Sequence, residues 1–304
     1  MTILLPKEPM APIAVDKLPL GEDWGYQIKW DGVRLLARLE KERIELFSRQ
    51  MLSKSDLYPE AMELLKPLQQ KHSCLLDGEA VIFDQSKQRP NFQLILKRER
   101  SRSFRAGVHD GNHFIYVLFD LLYCNGEDLR PLPYVERHRR LLQLLPDKQP
   151  QLFVTDLFSD LPPLWSWVEQ GGWEGVVAKR LASTYREGKK HKDWYKKKTA
   201  LLFEVAIPGL IIRGGQVASL IMAKDGILFG RVSSGLDEKR KSQLLQEGLK
   251  RKLDTPLFGT LPAELKKEQI LWLRSPFLCT VTGLEVTSDG QLRHPKIVKF
   301  HDRG

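Results

Sequence analysis

The sequence predicts an α+β protein built as two domains, residues 1–199 and 200–304, and three observations lead there. The chain has 304 residues, more than a single hydrophobic core usually organises. Strand-like and helix-like segments intermingle up to residue 199. After Thr199-Ala200 the texture changes to short strands with one helix among them. Hydrophobic residues make up 42% and charged residues 28%, a mixture that argues against disorder on composition.

Taken in order, residues 1–20 are rich in Pro and Lys and read as an extended lead-in. Tyr26 to Ile28 and Val33 to Leu39 have strand-like content, with a tight turn carrying Asp31-Gly32 between them. Ile44 to Phe47 gives a third short strand, ending at Ser48-Arg49. Pro59 to Leu68 puts Met62, Leu65 and Leu68 on one helical face. Leu75 to Phe83 and Phe114 to Tyr123 are apolar runs suited to central strands. Val135 to Leu145 reads as a basic amphipathic helix with its arginines in solvent. Gly175 to Lys179 is another short strand, and a very basic stretch follows around Lys189 to Lys198. Beyond the boundary the strand candidates are Leu202 to Ile207, Leu220 to Ala223, Ile227 to Val232 and Thr280 to Thr287. A helix candidate, Asp237 to Leu249, interrupts them, as in a small Greek-key barrel of the OB-fold kind.

The formal net charge is +10. Such an excess favours a polyanionic partner, because cations that neutralise phosphates release condensed counterions; a merely basic surface is the plainer alternative. Cys74, Cys124 and Cys279 are far apart in sequence with no CxxC pair, and the seven histidines are scattered. A disulfide framework and a cysteine- or histidine-based metal site are therefore poorly supported. No apolar stretch approaches ~18 residues, and the start of the chain has no long apolar segment, so the expectation is a cytoplasmic protein with no membrane partner.

The chemistry-bearing signal is Lys29-Trp30-Asp31-Gly32-Val33-Arg34. A lysine at a strand end before a tight turn can be held rigidly in a cleft, where burial and neighbouring cations favour the free amine that attacks electrophiles. Arg34 offers a fork of donors for phosphate or ribose oxygens. Taken alone, the same residues also describe a solvated lysine beside a hairpin turn. Lys196 and Lys198 alternate, so on a strand they share one face and can aim two cations at one phosphate, while Lys197 points away toward solvent.

Further segments follow in order: Ser48-Arg49, Leu76-Asp77-Gly78-Glu79, Phe119-Asp120-Leu121-Leu122-Tyr123, Glu174-Gly175-Val176-Val177-Ala178-Lys179, Trp194-Tyr195-Lys196-Lys197-Lys198 and Arg293-His294-Pro295-Lys296. With the lysine segment they resemble the covalent nucleotidyltransferases, and within these the ATP-dependent DNA ligases. Arg-His-Pro-Lys is similar to the ligase domain of bacterial end-joining ligases, often called ligase D. The resemblance spans residues 26 to 296. It implies an adenylation domain with antiparallel sheets over 1–199 and an OB-fold barrel over 200–304.

The resemblance also implies roles. Lys29 would take AMP from ATP as a covalent adduct, with Gln27 and Ile28 beside it in the nucleotide site. Gln27 stands where many ligases have Glu and would accept from the adenine amino group. Arg34 and Arg49 would reach phosphate, ribose or the nick; Glu79 would bind ribose hydroxyls; Phe119 would stack on adenine. Glu174 would hold Mg²⁺ or Mn²⁺ as the metal ligand, and Lys196 and Lys198 the phosphate. Arg293 and Lys296 would orient the leaving pyrophosphate from the second domain, unless they are simply part of a basic tail. The implied partner is nicked or broken double-stranded DNA, with a Ku-like end-binding protein as a second. The implied protein is a stand-alone monomer of a bacterial cytoplasm, associated with the nucleoid. An RNA ligase or a GTP-using capping-type enzyme is the alternative reading.

Overall fold

A computed structural model describes residues 3–86, 88–100, 113–188, 191–259, 261, 263–283, 285–287 and 289–301. Part of the predicted basic stretch, Lys189 and Lys190, lies outside these residues. The chain divides into two compact units, Met1–Thr199 and Ala200–Gly304.

The first unit contains β1 (Trp24–Ile28), β2 (Val33–Glu40), β3 (Arg43–Ser48), α1 (Pro59–Gln69), β4 (Cys74–Asp84), β5 (His113–Cys124), α2 (Tyr134–Leu144), α3 (Leu161–Gln170), β6 (Gly175–Arg180) and β7 (Trp194–Lys198). One sheet has β4 between β2 and β5, with β3 outside β2. A second sheet runs from the short strand Ile13–Ala14 through β7 and β6 to β1. Most pairings are antiparallel; Ile13–Ala14 on β7 and Leu152–Val154 on β5 are parallel.

The larger sheet is buried on both faces, which explains the near-continuous apolar runs of β4 and β5. Leu35, Ala37 and Leu39 alternate into a core with Leu65 of α1, whereas Leu36 turns the other way to meet Leu75, Leu122 and Trp194. That second core joins the two sheets. α3 covers the outer face of the small sheet, packing Leu164 and Val168 on Trp24, Tyr26, Val176 and Ala178. The extended lead-in is tied down: Ile3 and Met10 are buried in the core that joins the sheets. The predicted solvation of the α2 arginines fails at Arg137, which is fully buried and pairs with the equally buried Asp120 at 2.8 Å. A 3.6-residue period turns this position inward, and the carboxylate compensates the charge. Arg139 and Arg140 do face outward, held by Glu136.

In the second unit β8 (Leu201–Arg213), β9 (Gln216–Lys224), β10 (Ile227–Val232), α4 (Glu238–Lys250), β11 (Gln269–Gly283) and β12 (Lys296–His301) follow in order. Asp237 caps α4 by accepting from the Arg240 amide at 2.7 Å. β8 pairs with β9 and β11, β9 with β10, and β11 with β12. Beyond β10, Ser234 bridges Lys296 in parallel, with the Ile297 amide donating to its carbonyl at 2.9 Å. The pairings thus close a ring of five strands with a helix between the third and fourth, the connectivity of an OB-fold. The predicted strand Thr280 to Thr287 is divided: β11 ends at Gly283 and Glu285–Val286 pairs separately with Leu292–Arg293.

Candidate active site

β1 and β2 are not a hairpin, contrary to the sequence reading. β1 pairs with β6 in the small sheet, whereas β2 pairs with β3 and β4 in the large one. The Lys29–Gly32 segment therefore crosses from sheet to sheet. The crossing is tight: a Cβ on Gly32 would sit 2.2 Å from the Ala80 carbonyl oxygen. The Lys29 amide donates to the Gly175 carbonyl at 2.9 Å, which anchors the strand end carrying the amine.

Between the sheets lies a cavity of about 830 Å³. Gln27, Ile28, Lys29, Arg34, Arg49, Glu79, Phe119 and Lys196 all line it, as expected for one nucleotide-sized site. Gln27, Val177 and Lys196 are cross-strand partners on β1, β6 and β7, so the pleat aims all three inward. Arg34 and Glu79 are opposed in the same way on β2 and β4. Phe119 has a different cause. Asp77 and Gly78 pair with Asp120 and Leu118, leaving Phe119 as the extra residue of a β-bulge. Bulges re-aim a side chain, and this one turns the ring into the cavity.

Lys29 is only 18% exposed, and its Nζ donates to Oε2 of Glu174; Oε1 of Glu174 takes Lys198 Nζ at 2.9 Å. One carboxylate thus joins the strand end of β1 to that of β7. Glu174 is not a vacant metal ligand in this arrangement, since both oxygens already hold ammonium groups. Among the described residues no three His, Cys, Asp or Glu side chains converge as a metal cage. Glu174 has hard oxygen donors near it pairwise, in Asp31 and in Glu79. Mg²⁺ typically binds through one or two carboxylates plus phosphate oxygens, so the donor set fits. Burial, then the nearby Glu174, raises the Asp31 carboxyl to about 6. Burial raises Glu79 to about 7 against the opposing pull of Lys29 and Arg34.

The Arg34 fork is bound to Asp77 through Nε and Nη2, with Nη2 also donating to the Met10 carbonyl at 3.0 Å. Fully buried Asp77 demands that cation, so Arg34 lines the cavity with much of its donor capacity already used. Glu79 is in the middle of β4, within the strand expected over Leu75 to Phe83. Lys197 points away as expected but rests over the Trp165 ring at 4.3 Å instead of standing in water. Arg49 is 45% exposed beside Glu8 at 3.7 Å, at the rim. Arg293 and Lys296 belong to the second unit, at strand Leu292–Arg293 and the first residue of β12, and the cavity lining is drawn wholly from the first.

Sequence reasoning gave Lys179 no role. Its side chain is 3% exposed at the cavity floor, and Nζ lies 4.2–4.5 Å from the ring centres of Trp194, Tyr134 and Phe119. It donates to the Tyr134 hydroxyl at 3.1 Å, and that hydroxyl in turn donates to the Phe119 carbonyl at 3.0 Å. Burial lowers its ammonium to about 7. The available signal was alternation: Val176 and Ala178 face the outer core, so Val177 and Lys179 must face the cavity.

A cavity with an anchored lysine, opposing carboxylates and paired lysines invites comparison with nucleotide-transferring enzymes. Residues 11–198 match the family described as ATP dependent DNA ligase domain. The chain is similar to the multifunctional non-homologous end joining protein LigD of Pseudomonas aeruginosa, with 31% identity over 92% of this chain and 33% of that protein. It spans about a third of the length of such curated relatives. Among solved structures it is similar to the ligase domain of Mycobacterium tuberculosis LigD, at 30% identity and a TM-score of 0.56 over 97% of this chain and 94% of that one. It is also similar to a mycobacterial DNA ligase D complexed with ATP and MES, at 31% identity, a TM-score of 0.56 and the same coverage. With more than half its length matched by the family pattern, the chain belongs to the ATP-dependent DNA ligase family.

Proposed function

We propose that this chain seals breaks between a 3′-hydroxyl and a 5′-phosphate in double-stranded DNA, using ATP and a lysyl-AMP intermediate on Lys29. The observation that carries the reading is the convergence of Lys29, Glu79, Phe119, Glu174, Lys196 and Lys198 on one cleft. Lys29 Nζ attacks the α-phosphorus; an N–P bond forms, the bond to pyrophosphate breaks, and the amine loses its proton on the side where Glu174 Oε2 accepts its hydrogen bond. Glu79 holds ribose hydroxyls, Phe119 offers its ring to the base, and Lys196 and Lys198 neutralise phosphate charge. Gln27, Ile28, Arg34 and Arg49 complete the nucleotide and nick contacts, and Arg293 and Lys296 assist pyrophosphate departure. Glu174, with Asp31 nearby, would hold Mg²⁺ or Mn²⁺, which when bound supplies further charge neutralisation at the phosphates. The adenylate then passes to the 5′-phosphate, and the 3′-hydroxyl displaces AMP. The relatives' printed roles in end joining support a place in DNA repair, with a Ku-like end-binding protein as a partner.

The test is sealing of a labelled nicked duplex, with ATP or GTP and with DNA or RNA strands. Sealing of nicked DNA with ATP supports the reading. Sealing confined to RNA, or adduct formation only with GTP, contradicts it.

A further inference from the structure

Cys74 and Cys124, far apart in sequence, are neighbours in the fold. Cys74 opens β4, Cys124 closes β5, and the antiparallel register sets them directly opposite. Residues so opposed project from the same face, with Cβ atoms about 4.5–5.5 Å apart. The Asn125 amide donates to the Ser73 carbonyl at 2.8 Å, so the ladder bonds flank the cysteines instead of linking them. In pairs of that kind the Cα atoms approach to about 4.5 Å, within the span of about 4.4–6.8 Å that a disulfide bridges. Both thiols are free. Cys74 is sealed in the core beneath the sheet, and Cys124 packs against that core. Cys124 is also half-buried at the Asn125-Gly126 turn, where a small oxidant can reach it. Burial pushes both thiols up, and Cys74 is raised further by its neighbour, so the two sulfurs feel one another. At Cys124 the nearby Arg140 opposes that rise and Glu127 adds to it.

We propose that Cys74 and Cys124 form a reversible oxidation site, a dithiol that a peroxide closes into a cross-strand disulfide. Cys124 thiolate attacks one oxygen of hydrogen peroxide; an S–O bond forms, the O–O bond breaks, and the departing hydroxide takes a proton to become water. Cys74 thiolate then attacks that sulfur; the S–S bond forms, the S–O bond breaks, and a second water leaves. Two thiols are oxidised by two electrons and one peroxide is reduced. Within a reducing compartment such a bond is transient, as disulfides of sensing type are. It ties together the two strands that carry Asp77, Glu79 and Phe119.

The full chain, folded, is treated with hydrogen peroxide, alkylated under denaturing conditions and mapped by mass spectrometry. The expected result is a crosslinked peptide containing Cys74 and Cys124, lighter by two hydrogens, reversed by dithiothreitol, with Cys279 still alkylated. The melting midpoint should rise by roughly 5–10 °C on oxidation, because the closed loop restricts the unfolded chain. Cys74→Ser and Cys124→Ser should each abolish both effects. A Cys124 oxidised to sulfinic acid with no crosslink, a crosslink through Cys279, or an equal melting shift in the serine variants would overturn the proposal.

Discussion

Glu79 ionises with difficulty because the cavity wall desolvates it, and its carboxyl titrates at about 7 against an ordinary 4.5. The folded chain therefore holds this proton more tightly than the unfolded one. The resulting stability is fully present below about 4.5 and is lost as pH rises through about 7. Glu79→Gln should melt above the wild type at pH 8, with the gap closing toward pH 5, while AMP-adduct yield falls about tenfold as a neutral amide oxygen replaces the charged ribose acceptor. A melting gap that does not change with pH counts against this assignment. Lys179 has the opposite sign. Its amine, titrating at about 7 instead of 10.5, contributes stability above about 10.5 that is lost as pH falls through 7. Lys179→Met keeps the three-ring cage filled without a charge. At pH 6 it should unfold at higher urea than the wild type, by about 1 kcal/mol or more, and the advantage should shrink at pH 9. Equal stability at both values would mean that the ammonium is not strained by its surroundings.

At the scale of elements, the sheet-to-sheet crossing after β1 makes the site. Gly32 has no room for a methyl group between the Ala80 carbonyl and Val81. Gly32→Ala should cost about 1–3 kcal/mol and move Lys29 away from Glu174, so urea unfolding and adduct yield should fall together. Adduct yield at the wild-type level would show that the crossing tolerates displacement. Much of this level was legible in sequence. β2, β3, β4 and β5, the helix α1 and the capped helix α4 follow their apolar periods, and Lys196 and Lys198 share a face because strands alternate. Two features were hidden for stated reasons. Asp-Gly after a strand reads as a hairpin when only neighbours in sequence are considered, and partner choice depends on β6, which lies far along the chain. Phe119 enters the cavity through a bulge, and an inserted residue leaves no mark in an apolar run such as β5. Arg137 and Asp120 mislead for a similar reason: each looks soluble until the other is placed beside it.

For the whole molecule, a net charge of +10 and a family that acts on DNA make phosphate contacts the expected source of affinity. Binding to a nicked duplex should weaken about tenfold or more between 50 and 200 mM salt, with little dependence on sequence, as titration by fluorescence anisotropy would register. A flat salt response would exclude a phosphate-tracking mode. The segment order from Lys29 to Lys296 made the family visible before any fold was known. In the second unit the strand bounds were less visible, because β8 and β11 run to 13 and 15 residues, beyond the apolar stretches that marked them. The account rests on covalent capture of AMP at one amine, and peptide mapping after incubation with labelled ATP measures that directly. AMP should be found on the Lys29 peptide and be absent from Lys29→Ala. An adduct on Lys179 or Lys196, or normal yield from Lys29→Ala, would contradict it.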